Sequence, residues 1–486
     1  MSDRESSVAG VVLGYIAYVS QTALAVLYVI LLTRLIDLSE YGYYNALTAI
    51  LGVISLFFPT LGVDRAIARE AAIMLSQGVD IRSRLSAMLL ITIILTALYV
   101  LAVLILAPLY VAMRIPERFL PIVYLYLVYI VLQSLNGFLA SYLWIAGRLK
   151  SQALGIMIGG LVFRSSETLL IFILRNVYAI IISMILGQIL TLAYYIRVAR
   201  VFYNPLEGVV ILKRNLRQYV KIGFQNWFLG YLGSVANNII TYIIYETLGA
   251  DSVALYSISL YMLGAVSSFI SSIVNVFGSR LSHALGSERD LNSILRDYID
   301  ASLVSTSVLS QLLIVGLPLL PMTGVVYGDY ARSIPYAVAL FGVFTLGAPV
   351  SIYSTYYWLI ERGWTSIKIS LIALSVNISL ALLTVRSIGL YSTALAMLVS
   401  SIVAEILYEL SNSRDRNRSL TLLSTYTVLP LLSSLAYVST DTWPLSQIVM
   451  LIFTILVSYY IKPLPRSILS QIPFLFRDLL LLFTRE

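Results

Sequence analysis

The chain has 486 residues, 59% of them apolar and only 12% charged, a balance far outside that of soluble globular proteins, so it is expected to sit in a bilayer. It has no cysteine, which excludes disulfides and thiolate metal sites, and its single histidine, His283, falls in a charged loop. The net charge of +8 is spread over many short loops and calls for no nucleic acid.

Apolar runs of ~20 residues or more mark spanning helices, because lipid offers backbone N–H and C=O groups no partner beyond their own helix. Fourteen such runs occur: 8–33, 42–63, 85–111, 119–146, 152–174, 177–196, 219–245, 252–277, 300–325, 333–359, 366–385, 389–410, 419–439 and 444–461. The first is too long for a signal-peptide core and is expected to be retained. Pro59, Pro108, Pro318, Pro349 and Pro430 fall inside runs and permit kinks. Past the last run, the amphipathic stretch from Ser467 to Phe483 is expected to lie in the interface or to form a solvated tail helix. Basic residues crowd the side that holds both termini, with Arg65, Arg69, Arg82 and Arg84 after the second run and Arg197 to Lys221 after the sixth. The other side holds Arg34, Arg114, Arg118, Arg175, Arg332 and Arg386, so the positive-inside rule puts both termini in the cytoplasm.

The chain also repeats itself at a shift of about 213 positions. Tyr44 and Asn45 fall on Tyr256 and Ser257, Trp144 on Trp358, and Tyr178 on Tyr391. Six runs per copy is an even number, so both copies enter from the same side and form a parallel pseudo-two-fold repeat. The expected organisation is an N-terminal lobe over 1–200, a basic cytoplasmic linker over 201–218, a C-terminal lobe over 219–412, two further helices over 413–462 and a tail over 463–486. The fold class is thus an all-α polytopic membrane protein, fourteen helices in two six-helix lobes plus two.

Motifs for catalysis are missing. Neither a GxxxxGK[ST] loop nor a GxGxxG occurs, and no outer loop is long enough to fold into a catalytic domain, so no cofactor and no enzymatic activity are expected. The candidate residues are polar groups inside spans. Arg164 stands about 12 residues into the fifth run, roughly 18 Å deep and near the midplane, with Glu167 three positions on. Such a pair either locks itself into the packing or faces a watery cavity. Asn226, Gly230, Ser234, Asn237 and Thr241 form a polar stripe on the seventh run, matched by Ser20 and Gln21 on the first; it serves either helix contacts or a ligand. Asp64, Arg65, Arg69 and Glu70 cluster at the cytoplasmic foot of the second run. Glu405 and Glu409 lie four apart near the cytoplasmic end of the twelfth, as a solvated helix end or a coupling-ion site. Gly155 and Gly159 make a GxxxG suited to close helix packing.

Three stretches carry a family resemblance: LLTRLIDLSEYGYYNALTAI (31–50), LGVDRAIAREAA (61–72) and VVYGDYARSIPYAVAL (325–340). In these the chain resembles the MOP superfamily and, within it, the polysaccharide or O-antigen flippases of the Wzx type, over essentially its whole length. The resemblance implies two six-helix lobes around a central cavity, and a monomer that moves a polyprenyl-linked oligosaccharide to the outer leaflet. Arg164 and Glu167, with Gln21, Asn226, Ser234, Asn237 and Thr241, would then line the substrate path. Arg164 would grip the carrier pyrophosphate with its guanidinium fork, Asp64, Arg65 and Arg69 would form a cytoplasmic entrance, and helices 13 and 14 a groove for the prenyl tail. Glu167, Glu405 and Glu409 are the candidates for coupling to Na+ or H+. The rivals are a multidrug or cation antiporter of the same superfamily and a membrane-embedded glycosyl-transfer enzyme.

Overall fold

The computed structural model describes residues 24–55, 63–146, 148–199, 204–285, 291–360, 362–411, 416–439, 444–461, 464–465 and 484–485, in places through the backbone alone. They are helical almost throughout. The helices are α1 (Leu24–Leu35), α2 (Leu38–Ser55), α3 (Val63–Ser76), α4 (Arg82–Arg114), α5 (Leu120–Ile145), α6 (Leu149–Leu174), α7 (Tyr178–Ala199), α8 (Pro205–Leu248) and α9 (Ala250–Leu285). They continue with α10 (Leu291–Gly316), α11 (Leu319–Met322), α12 (Ile334–Phe344), α13 (Gly347–Leu359), α14 (Gly363–Ile388), α15 (Tyr391–Ser411), α16 (Arg416–Ser439) and α17 (Leu445–Ile461). Each of the fourteen expected runs holds a helix. Among the described residues, seven helices are by themselves long and apolar enough to cross a membrane, or eight when α12 and α13 are taken as one bent span.

The chain divides into two compact units. One comprises Met1–Tyr242 with Val325–Gly328, the other Ile243–Gly324 with Asp329–Glu486. The stretch 201–218, expected as a linker, is helical from Pro205 and forms the opening turns of the 44-residue α8. The tail over Ser467–Phe483 lies outside the described residues; flanking it, Leu464 and Pro465 pair in parallel with Thr484 and Arg485.

In the first unit α3 buries Val63, Ala66, Ile67 and Ala71, spaced at three and four, against Leu85 and Met88 of α4 and Leu143 of α5. The charged spacing of this segment hid it from a hydropathy reading. α6 and α7 approach each other closely. A Cβ on Gly159 would stand 2.0 Å from Thr191 Oγ1 and 3.2 Å from the Gly187 carbonyl, so only glycine fits there. In the second unit the aromatic residues Phe277, Tyr298, Tyr353, Tyr357 and Tyr408 of α9, α10, α13 and α15 share one core. Outward rows such as Leu101, Ile105 and Leu109 of α4 stay exposed, as lipid-facing residues do. Hydroxyls within spans satisfy themselves locally: Ser134, Ser183, Thr191 and Thr241 each donate to the carbonyl four residues back.

The repeat is visible in helix lengths. α6 and α14 both run for 26 residues, and each pairs with the helix that follows it, α7 or α15. One difference between the copies is a break. α5 is unbroken for 26 residues, whereas its counterpart is split into α12 and α13 with a 45° bend. Pro349 explains the break: its ring excludes the carbonyl four residues back, Thr345, and it has no N–H to offer it. The repeat shift puts Leu135 at the matching place in α5.

Candidate functional site

Helical spacing puts Arg164 and Glu167 on neighbouring turns of α6, and their side chains meet, with Arg164 Nη1 donating to Glu167 Oε2 at 2.6 Å. Glu167 is buried to 2% of its side-chain surface, while Arg164 keeps 22%. The guanidinium carbon stands 4.7 Å from the Phe163 ring centroid and 5.9 Å from that of Tyr28 on α1, geometry in which an aromatic face offsets part of a cation's lost hydration. The pair is therefore buried at its acidic end and partly exposed at its basic one.

Buried tyrosines surround it. Tyr41 and Tyr44 of α2 stack with centroids 6.5 Å apart, and Asn45 Nδ2 donates to the Tyr41 carbonyl at 2.7 Å. The Tyr41 hydroxyl interacts with Tyr28 and Asn45, and that of Tyr44 points to Met184 Sδ on α7 at 3.7 Å. Tyr126 and Tyr129 of α5 lie within electrostatic range of Tyr44. Tyrosines in membrane proteins commonly sit in interfacial belts. The signal that separates these is depth, since Tyr126 and Tyr129 stand in the interior of their run rather than at its ends. At the repeat positions of Arg164 and Glu167 stand Ile378 and Ala381, so the second copy carries no such pair.

The other expected residues are more dispersed. On α8, Ser234 and Asn237 are exposed, while Thr241 is buried and donates to the Asn237 carbonyl at 2.7 Å. Asn226 lies on the same helix and Asp64, Arg65 and Arg69 on α3, their side chains outside the described set, as is all of Gln21. Glu70, beside them in sequence, accepts from Arg84 at 3.1 Å. Glu405 and Glu409 belong to the second unit and the Arg164 cluster to the first. Glu405 is 2% exposed with Oε2 lacking a hydrogen-bond partner, so it is no solvated helix end. Glu409 accepts from the Tyr353 hydroxyl; that ring stacks on Tyr408, whose hydroxyl meets Ser366 Oγ at 2.7 Å. Among the described residues no cluster of metal-ligating side chains occurs.

The long apolar helices and the ion pair set within one of them define a polytopic membrane protein. Residues 7–277 match the family model described as "Polysaccharide biosynthesis protein", and the chain belongs to that family. Its fold is that of the MOP superfamily. The lipid II flippase MurJ in an inward closed conformation is 17% identical, with 96% of this chain and 99% of that one covered at a TM-score of 0.67. An inward-facing multidrug resistance MATE family transporter of the superfamily is 17% identical over 83% of this chain and 96% of that one, at 0.64. A MOP transporter from Pyrococcus furiosus, described as having a binding pocket of reverse polarity, is 16% identical over 86% and 96%, at 0.61. None of the curated proteins matches the chain. The family resemblance read from residues 31–50, 61–72 and 325–340 is borne out, and the neighbours in fold are transporters rather than enzymes.

Proposed function

We propose that the protein is a flippase that carries a polyprenyl phosphate- or pyrophosphate-linked oligosaccharide across the cytoplasmic membrane by alternating access, for surface polysaccharide or glycoprotein assembly. One observation carries the reading: a guanidinium at mid-span, fixed by a buried carboxylate on one side and accessible on another. An ionised group at that depth is retained where it meets a charged ligand or water, and a guanidinium fork suits phosphate oxygens. In this reading Arg164 grips the carrier phosphate and Glu167 sets its direction. Ser234, Asn237 and Thr241, with Gln21 and Asn226, contact the sugars, and Asp64, Arg65 and Arg69 form the cytoplasmic entrance. The lobes over 1–200 and 219–412 rock, the protein acts as a monomer with both termini in the cytoplasm, and helices 13 and 14 shelter the prenyl tail. Glu405 and Glu409 couple the cycle to Na+ or H+.

A cation antiporter is the weaker alternative, because it would place a carboxylate rather than a guanidinium at the accessible end of the pair. The test is reconstitution into vesicles with polyprenyl pyrophosphate-linked glycans, following glycan exposure on the far leaflet. Arg164→Ala is expected to lower the rate at least about ten-fold, the loss of one charge-assisted contact, with folded protein still in the membrane. Wild-type rates from that variant would remove Arg164 from the substrate path.

A further inference from the structure

Beside the ion pair, α5, α6 and α7 line a half-open pocket of about 330 Å3, at the small end of the range for organic ligands. Ile156, Gly160 and Phe163 line it from α6, at steps of three and four that continue to Glu167, so the pair stands one turn beyond the pocket. This stripe, whose Ile156 is itself exposed, lies across the helix from the exposed row Leu169, Phe172 and Ile173. On α5, Gln133 and Gly137 likewise stand opposite exposed Tyr124, Val128 and Val131. Apolar rows suit lipid. A primary amide exposed at mid-span on the opposite side suits water or a polar ligand, because in hydrocarbon it would stay unsatisfied.

Among the described residues no charged side chain lines this space. Asn136, 6% exposed, uses its Nδ2 on Gln188, at 2.6 Å to Oε1 and 2.9 Å to the carbonyl, and its Oδ1 is buried with no hydrogen-bond partner. Gln133 adds an amide that can both donate and accept, and Tyr129 and Phe163 add aromatic rings. Gly137 keeps the space open, since a Cβ there would meet nothing within 4 Å.

We propose that this pocket binds one neutral sugar ring of the substrate. Gln133 pairs with one ring hydroxyl, the Asn136 amide turns its Oδ1 to accept from a neighbouring one, and the rings of Tyr129 and Phe163 cover the C–H face. The assignment rests on the flippase reading for the identity of the substrate. A hydrocarbon tail would leave both amides unsatisfied, and a hard cation would find too few oxygens and no carboxylate in the lining. A hydroxyl-bearing ring meets both demands at once, and its size suits the volume.

The test uses purified protein in nanodiscs and saturation-transfer NMR. The probes are methyl α-D-glucopyranoside, methyl α-D-galactopyranoside and methyl 2-acetamido-2-deoxy-β-D-glucopyranoside, with cyclohexylmethanol as an apolar alcohol of similar size. At least one glycoside is expected to give a signal that the alcohol does not. Gly137→Leu, whose Cβ would meet nothing within 4 Å, and Gln133→Leu, at an exposed position, are each expected to weaken that signal about ten-fold. Absence of a glycoside signal, an equal signal from the alcohol, or a signal indifferent to both leucine variants would overturn the assignment. The glycosides carry neither phosphate nor tail, so this outcome is independent of the Arg164 transport result.

Discussion

Glu167 is the most constrained charge in the described part of the first unit, 2% exposed and bonded to Arg164 at 2.6 Å. Removing one partner leaves the other poorly satisfied, so Glu167→Ala is expected to lower stability by about 1–3 kcal/mol. The double variant with Arg164→Met is expected to recover part of that loss in thermal unfolding; additive losses would show that the contact contributes little. Asp37, between α1 and α2, offers a test in pH. Its carboxylate accepts from the Ser39 hydroxyl and N–H, which holds its pKa below the usual carboxylate value. A depressed pKa contributes stability above the unfolded value, near 3.8, and that contribution fades as pH falls through the folded one. Asp37→Asn is expected to flatten the fall of Tm with pH in the acid range below about 4, and an unchanged slope would assign the fall to other groups. At this scale the sequence exposed Arg164 and Glu167, because charge inside an apolar run is conspicuous. It concealed Tyr28, Tyr41 and Tyr44, because a tyrosine's role depends on which helices converge on it, and periodicity carries no such information.

Two elements turn on single residues. Gly159→Leu would drive a side chain into Thr191 Oγ1 and the Gly187 backbone, neither able to yield without parting α6 from α7. A loss of about 1–3 kcal/mol is expected, as for other overpacked contacts. Gly137→Leu on neighbouring α5 is expected to leave Tm nearly unchanged, and similar losses from both would contradict the packing described. Pro349→Ala restores the N–H that Thr345 lacks and is expected to straighten the α12–α13 pair. Electron-resonance distances between labels at Arg332→Cys and Trp358→Cys would lengthen, on a background free of native cysteine. The GxxxG was legible because small residues four apart have few other uses. The α3 helix was not, because its core face is built from alanines between charges, and the bend was only half legible, since α4 and α16 carry Pro108 and Pro430 within continuous helices.

For the molecule as a whole, the asymmetry of basic residues predicts sidedness. With the termini inside, a cysteine replacing exposed Val79 is expected to react with an impermeant maleimide only from the cytoplasmic face, and one replacing exposed Arg386 only from the outside. Labelling of both from one face would refute the orientation. The duplication, read from a handful of aromatic and polar echoes, persists in the matched lengths of α6 and α14 long after their charges diverged. The break near residue 345 has a further effect. One copy has gained an elbow at this level where its twin keeps a stiff rod, so flexure concentrates at the elbow, and a compound wedged there as a splint would arrest movement without ever touching the guanidinium.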